Sequence, residues 1–279
     1  PAMFVHGLSS RLGQPQGYAV TSLGKHRMRE AWRVENLHSD RQHRLFWITR
    51  GQGRVFLRGV TRGYGPNNAI YAPSGVQLAL ELPPQTQGLV LRLPEGAELG
   101  LPREPFHLRI TAIEAQGILT SHLEKVDREI SAAAPAMDRA LNGYGLLISA
   151  WMTRELSRRE DHDAHHGGDA GHHASHHLAA RFSDLMETQF RSGQGIAQYA
   201  AALQVTPTHL SRVCKEATGR PAHALLTERV MYEAMRLLTD TDMPAREIAE
   251  TLGFSSPAYF TRAFTQATGH PPSAFRKLA

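Results

Sequence analysis

The chain has 279 residues, of which 41% are hydrophobic and 20% charged, and its formal net charge is +5. This length favours two domains over one. The sequence holds no apolar run of the roughly 18 residues that a membrane span needs, and the opening "PAMFVHGLSSRLG" lacks the pattern of a secretory leader. One cysteine, Cys214, permits neither an internal disulfide nor a four-cysteine zinc site, so we expect a cytoplasmic protein. The positive charge is compatible with a polyanionic partner without identifying one.

The first third of the chain has the pattern of a strand-rich domain. Short runs rich in aromatic and β-branched residues, "HRLFWIT", "RVFLRGV" and "NAIYAPS", are separated by Gly, Pro and Asn. The segment "RGQGR" is typical of a hairpin turn in which Gly51 and Gly53 supply positive φ. Strands at this spacing predict a small β-barrel or sandwich within residues 1–110.

The hydrophobic period changes to that of helices over residues 111–160. One apolar stripe and then a second recur every three or four residues, and "AAAPAM" separates them. The stripes contain Leu119, Leu123, Val126 and Ile130, then Leu141, Tyr144, Ile148 and Trp151. This pattern predicts a helical pair whose stripe packs either on the strand domain or on the same stripe of a second copy, as a dimerisation segment.

Residues 161–178 are low in complexity and rich in histidine. The stretch "DHDAHHGGDAGHHASHH" has no apolar period, which predicts a flexible, solvated linker at a domain boundary. Imidazoles can also bind zinc, nickel or copper, so a metal-responsive linker stays open as an alternative. Its candidate ligands are His165, His166, His172, His173, His176 and His177.

The last hundred residues, 179–279, predict an all-helical domain that contains two similar helix-turn-helix units. In the first unit, residues 196–217, a helix ends near Gln204 and a second begins with Thr206 as N-cap and Pro207 at the first helical position. One face of that second helix is apolar. Its other face is polar and carries Thr208, Ser211, Arg212 and Lys215.

The second unit, residues 246–267, repeats this arrangement with one extra residue in its turn. Ser256 and Pro257 restart the helix, its apolar face carries Phe260 and Phe264, and both copies end in "ATG". The outward positions are Ala258, Thr261, Arg262 and Thr265. An internal duplication explains the repeat most simply.

A helix-turn-helix places its second helix in the DNA major groove, where Arg can bond guanine in bidentate fashion. Between the units, "PAHALLTERVMYEAMRLLTDTD" predicts a helix of about 18 residues, or ~27 Å. One rigid helix of that length can hold two recognition helices about one DNA turn apart, so we expect double-stranded DNA as a partner.

These residues resemble the DNA-binding domain of the AraC/XylS family of bacterial transcription regulators. The resemblance is carried by "IAQYAAALQVTPTHLSRVCKEATGRP", "ERVMYEAMRLLTDTD" and "IAETLGFSSPAYFTRAFTQATGHPPSAFR". It implies base contacts from the two exposed helix faces. The implied residues are Thr208, Ser211 and Arg212 in the first helix, and Ala258, Thr261 and Arg262 in the second.

The resemblance also implies the architecture of the whole chain. The expected fold class is α+β multidomain: an N-terminal cupin-like β-barrel that binds a small effector, a helical pair that forms a homodimer, and the all-α DNA-binding domain. RNA polymerase is a further expected partner, and no cofactor or membrane partner is expected. Candidate effector-binding residues are Arg41, His43, Arg44, Trp47 and Tyr71.

Two enzyme classes are alternatives to a regulator. A cupin enzyme needs a His-x-His and a following Glu, whereas this chain has His38 and His43 without that triad, so we expect no enzymatic activity. Methyl-accepting DNA-repair regulators share the helical tail but need a reactive cysteine. Cys214 lies on the apolar stripe of a helix, which excludes that class.

Overall fold

The computed structural model describes residues 17–25, 31–95, 98–164 and 170–278, apart from the side chains of 160–173 and 278. The first part of the chain is built from strands. They are β1 (Ala19–Ser22), β2 (His43–Arg50), β3 (Gly53–Leu57), β4 (Val60–Tyr64), β5 (Asn68–Ala72), β6 (Leu78–Leu80), β7 (Gln87–Leu93) and β8 (Phe106–Arg109), with a short helix α1 (Trp32–Glu35) after β1.

The strands form two antiparallel sheets. The larger sheet has the order β1-β7-β2-β5-β8, and the smaller has the order β4-β3-β6. The strand-rich fold is therefore confirmed, but the expectation of a closed barrel is corrected. The ladder stays open because the chain leaves the large sheet after β2, and β3 then pairs with β4 and β6 of the small sheet.

The segment "RGQGR" is this crossing between sheets, so its prediction as a hairpin turn is wrong. Gly51 does adopt positive φ, at 92°, but Gly53 does not and begins β3. A Cβ on Gly51 would lie 2.7 Å from the Cα of Thr86, so close backbone approach also requires glycine there. The tight hairpin comes later, between β3 and β4, where Arg58 (φ 43°) and Gly59 (φ 82°) form the two-residue turn.

Strand β2 is buried on both faces, which explains its unbroken apolar run. Leu45 and Trp47 belong to the core between the large sheet and the following helices. Phe46 and Ile48 belong to the core between the two sheets. Because successive side chains point to opposite faces, one strand supplies both cores.

The predicted helical pair is α2 (Ile113–Ala132) and α3 (Met137–Ala164). The break at "AAAPAM" is confirmed, with Ala133 and Ala136 at positive φ. The stripe of α2 packs on the large sheet together with Trp151 of α3. This stripe is therefore part of the chain's own core and is not free to pair with a second copy.

The His-rich segment is helical where the structure describes it, but residues 165–169 lie outside the described residues, so a flexible linker there stays a prediction. Helix α3 continues to Ala164, and α4 begins at Ala170 and runs to Gln189. Alanine has the highest helix propensity, and buried Ala179 and Phe182 fix α4 further along. The His-rich sequence lacks an apolar stripe, but a helix can still form there when its later residues are buried, as they are in α4.

The C-terminal part is helical throughout its described length. After α4 and a 3₁₀ turn at Phe190–Ser192, the helices are α5 (Ile196–Ala202), α6 (Pro207–Thr218), α7 (Ala222–Asp240), α8 (Ala245–Thr251), α9 (Pro257–Thr268) and α10 (Pro272–Leu278). Within the described ranges, no helix combines the length and apolar character that crossing a membrane requires.

The strand part and the helical part share one hydrophobic core. Leu37, Phe56 and Ala79 of the strand part are buried among side chains of α4 to α9. The backbone of Gly59 also lies against Ala179 of α4, where a Cβ would meet the Ala179 carbonyl group. The two parts are therefore in direct contact and do not sit as separate bodies on a tether.

Candidate nucleic-acid interface

The first helix-turn-helix unit has the predicted cap and turn. Gln204 adopts positive φ (59°) between α5 and α6. The Thr206 hydroxyl accepts a hydrogen bond from the N–H of His209 at 3.2 Å, and Pro207 occupies the first helical position. Gly219 ends α6 at φ 78°, and its N–H donates to the Lys215 carbonyl. The end points of α6 are thus set by local side-chain chemistry.

The second unit has the same features one by one. Gly253 (φ 73°) makes the turn, the Ser256 hydroxyl accepts from the N–H of Tyr259 at 3.2 Å, and Gly269 (φ 75°) ends α9. Residues 203–206 separate the helices of the first unit and residues 252–256 those of the second. The predicted extra residue in the second turn is therefore confirmed.

Each recognition helix buries an apolar face and exposes a polar one. On α6, Leu210, Val213 and Cys214 are buried, whereas on α9 Phe260 and Phe264 are fully buried. Thr208, Arg212, Lys215, Ala258, Thr261 and Arg262 are exposed, while Ser211 and Thr265 are half-buried. Burial raises the pKa of the Cys214 thiol to about 12, so it is protonated at neutral pH.

The two exposed arginines have different partners. Arg212 donates to Glu216 at 2.6 Å, and its guanidinium lies 3.2 Å from His209 Nδ1. Among the described residues, Arg262 makes no hydrogen bond or ion pair. Sequence reasoning missed His209 and Glu216, although Glu216 stands at i+4 from Arg212, a spacing that favours such a pair.

The connecting helix α7 is held by a buried ionic network that the sequence did not reveal. Arg229 is 3% exposed and donates to Glu187 of α4 at 2.7 and 2.9 Å, while its guanidinium carbon stacks 3.8 Å from the Phe190 ring centre. Glu233 accepts from Arg191 and Arg236. Burial alone would raise the pKa of Glu233, but hydrogen bonding and charge from Arg236, with Arg229 and Arg191, lower it to about 2.

Further contacts join α7 and α4 to the strand part. Arg33 pairs with Asp240 at 2.5 Å at the end of α7. Glu187 also accepts from Ser39 at 2.5 Å and from Gln77 at 3.0 Å. Glu187 therefore binds the strand part and α7 at once.

The structure does not bring the five candidate effector residues together. Trp47 and Tyr71 are fully buried in the core beneath α2, where Trp47 Nε1 donates to Thr120 and the Tyr71 hydroxyl lies 2.9 Å from His43 Nδ1. Arg44 points to the opposite face of β2 and pairs with Asp40. Arg41 is exposed at the surface.

Two clefts lie elsewhere in the strand part. One, of about 520 Å³, is lined by residues that include Asn68, His107 and Arg109. The other, of about 640 Å³, lies between the small sheet, β8, α3 and α4. No sequence motif marks its lining, because residues from distant segments meet there only in the folded chain.

The candidate metal ligands are partly outside the described residues. This holds for His165 and His166, and for the side chains of His172 and His173. His176 lines the larger cleft and His177 is exposed. Among described side chains, no group of three or more His, Cys, Asp or Glu residues is placed to hold a metal ion. Metal binding by this segment stays a prediction.

Comparison with known proteins identifies relatives of the helical part. A family model described as a helix-turn-helix domain matches residues 199–278. The probable transcription factor PqrA of Proteus vulgaris is 33% identical over 94 residues, covering 33% of this chain and 77% of that protein. The arabinose operon regulatory protein of Salmonella typhimurium is 30% identical over 108 residues, covering 39% of this chain and 34% of that protein.

A third relative is the uncharacterized HTH-type transcriptional regulator YisR of Bacillus subtilis. It is 34% identical over 101 residues, covering 36% of this chain and 34% of its own length. The chain thus spans about a third of YisR and of the arabinose operon protein.

Solved structures resemble the chain over about a third of its length or over most of it. The C-terminal domain of AraT, a response regulator from Geobacillus stearothermophilus, is 31% identical with a TM-score of 0.34, covering 37% of this chain and 84% of that one. ToxT from Vibrio cholerae is 12% identical with a TM-score of 0.41, covering 94% and 98%. The family model includes both capped recognition helices, and the match to PqrA covers most of that protein. The chain belongs to the AraC/XylS family of transcriptional regulators.

Proposed function

We propose that this chain is a sequence-specific DNA-binding transcriptional regulator in which α6 and α9 are the recognition helices. The observation that carries the proposal is the repeated unit. In each copy the exposed arginine, Arg212 or Arg262, lies six residues after a capping hydroxyl, that of Thr206 or Ser256. Helix α7, with 19 residues, spans roughly 28 Å, close to one ~34 Å turn of DNA.

The exposed side chains suggest which bases and phosphates each recognition helix contacts. Arg212 and Arg262 can each bond guanine O6 and N7, and Thr208, Ser211 and Thr261 can reach base edges or phosphates. Lys215 near the end of α6 suits a phosphate contact. Ala258 offers only a methyl group, which suits the methyl of thymine. We therefore expect readout at α9 to depend mainly on Arg262 and Thr261.

Selection of bound duplexes from a random DNA library tests the proposal. We expect a defined site, with Arg212→Ala and Arg262→Ala each weakening its binding by about 1 to 3 kcal/mol and relaxing preference at one position. Arg54→Ala is the matched control, since Arg54 is exposed on β3 and pairs only with Glu81 among the described residues. If the two substitutions weaken binding equally for all DNA sequences, the two arginines contact phosphates and not bases. A selection that yields no sequence preference would overturn the proposal.

We further propose that the chain acts as a homodimer and that a small molecule bound to the strand part controls it. Exposed apolar side chains on α2 and α3 support the dimer: Ile113 is 84% exposed, and Leu146 and Leu147 are about half exposed. Leu146→Glu with Leu147→Glu should shift sedimentation from dimer to monomer. If the sedimentation of the variant is unchanged, Leu146 and Leu147 do not form the dimer contact.

Control by a small molecule is supported by the contact between the two parts. Glu187 and Asp240 join helices of the DNA-binding part to the strand part. A ligand that favours one arrangement of this contact shifts the population of DNA-competent molecules. In this proposal the small molecule is an effector that controls DNA binding, and it is not a substrate.

A further inference from the structure

The larger cleft lies where the strand part meets the DNA-binding part. Its floor is apolar and includes Leu57 and Phe106 from the two sheets and Leu156 from α3. Ala180 and His176 of α4 close the side toward the helical part. At about 640 Å³ it has the volume of a small-molecule site.

Arginine side chains concentrate positive charge at the cleft, and one of them, Arg62, forms no ion pair among the described residues. Arg62 on β4 and Arg159 on α3 both line it. Partial burial, and after it the like charge of Arg159, lower the pKa of Arg62. Among the described residues, Arg62 makes no side-chain hydrogen bond or ion pair. Arg58, in contrast, is satisfied by Asp184 and Glu104.

His107 on β8 adds a group that can become charged. The Asn68 amide nitrogen donates to the Pro66 carbonyl, so its oxygen faces His107 Nε2 at 2.6 Å and that nitrogen carries the proton. Burial, Arg62 and Arg159 together lower the pKa of His107 to about 4. The imidazole is therefore neutral at neutral pH, and an added negative charge would favour its protonation.

From this geometry we propose that the cleft binds a small organic anion with an apolar body, held by Arg62 and Arg159 at its head. The anion removes the repulsion between the two guanidinium groups, and the apolar floor buries its body. A purely inorganic anion would leave that floor uncovered. This inference names the ligand class and the site for the regulator proposed above and rests on that proposal.

The position of the cleft couples the ligand to the first recognition helix. Ala180 and His176 lie on α4, and Ala179 of the same helix packs against Val213 and Ala217 on the buried face of α6. A molecule seated in the cleft touches the helix that supports α6. Occupancy of the cleft therefore changes the affinity of the chain for its DNA site.

Calorimetric titration of the full chain with sodium octanoate tests the site, with octanamide as the neutral molecule of matched shape. We expect octanoate to bind at least about tenfold more tightly than octanamide, in line with charge-assisted hydrogen bonds. Arg62→Gln should remove that preference and Arg62→Lys should keep part of it, with melting temperatures near that of the parent chain. Arg54→Gln, on the neighbouring strand, should leave octanoate binding unchanged.

Equal affinities for octanoate and octanamide, no heat with either, or an unchanged preference in Arg62→Gln would each overturn the site. The coupling is tested separately, by measuring affinity for the selected duplex with and without octanoate. Octanoate binding that leaves DNA affinity unchanged would overturn the regulatory role. Absence of sequence-specific DNA binding both with and without octanoate would instead refute the proposed function, so the two failures are distinguishable.

Discussion

Replacing Glu187 with Gln should destabilise the chain strongly, because Glu187 neutralises a buried arginine. Its carboxylate accepts two hydrogen bonds from Arg229, which is 3% exposed, and others from Ser39 and Gln77. Glutamine keeps the shape of the side chain and removes its charge. Among the described residues, Arg229 then retains Glu233, 3.5 Å away, as its acidic neighbour. That carboxylate is already shared with two other arginines.

The size of the loss follows from burial. Breaking a buried ion pair by removing one partner costs about 3 to 5 kcal/mol. Because Glu233 compensates in part and the Glu187 side chain is 18% exposed, we expect the lower end, about 3 kcal/mol. For a chain of this size that corresponds to a fall in Tm of about 6 to 12 °C.

Urea unfolding and thermal melting of full-length variants measure this loss. Glu81→Gln is the control, since the Arg54–Glu81 pair is exposed on both sides and its removal should change the free energy of unfolding little. Adding Arg229→Met to Glu187→Gln should restore more than half of the stability, because it removes the buried arginine charge that Glu187→Gln leaves without its main partner, while Glu233 keeps Arg191 and Arg236. If Glu187→Gln costs no more than the control, or the second change gives no recovery, the reasoning about the buried pair fails.

Three further predictions concern the same molecule. In the folded chain the pKa of Glu233 is about 2, whereas its ordinary value is 4.5, so Glu233 contributes about 3 kcal/mol to the free energy of unfolding above pH 4.5 and loses this contribution as the pH falls toward 2. In Glu233→Gln the free energy of unfolding should therefore fall less steeply between pH 4.5 and pH 2. Glu216→Gln should tighten DNA binding severalfold in a gel-shift titration, because it removes a negative charge beside Arg212 and frees that guanidinium; weaker binding would contradict this. Gly59→Ala should cost about 2 to 4 kcal/mol in urea unfolding, against about 1 for Gly75→Ala, since both have positive φ but only Gly59 abuts α4.

The helix-turn-helix units could be predicted from sequence because their determinants are local. Thr206 and Ser256 cap helices whose next residue is proline, and the apolar positions repeat at helical spacing. These signals act within a few residues of one another, so a linear pattern contains them. The arginine faces of α6 and α9 were found for the same reason.

The ligand cleft could not be predicted in this way. Arg62 and Arg159 come from a strand and a helix nearly a hundred residues apart, and only the packing of α3 on the sheets brings them together. The five effector-binding candidates were predicted from their polar and aromatic side chains within one strand-rich stretch. Strand alternation then sent Arg44 to one face and Trp47 to the other, and the aromatic side chains became core.

The His-rich segment shows why the link between the two parts also escaped prediction. Its composition indicated a tether, and a tether would leave the two parts independent. Helix α4, which this segment begins, instead contacts the cleft through Ala180, the strand part and α7 through Glu187, and α6 through Ala179. The second recognition helix is linked differently, through α7 and its Arg33–Asp240 pair. A ligand in the cleft should therefore act first on base contacts made by Arg212, with contacts made by Arg262 less affected. Comparing octanoate-dependent DNA binding in Arg212→Ala and Arg262→Ala distinguishes this one-sided coupling, since only Arg212→Ala should abolish the dependence.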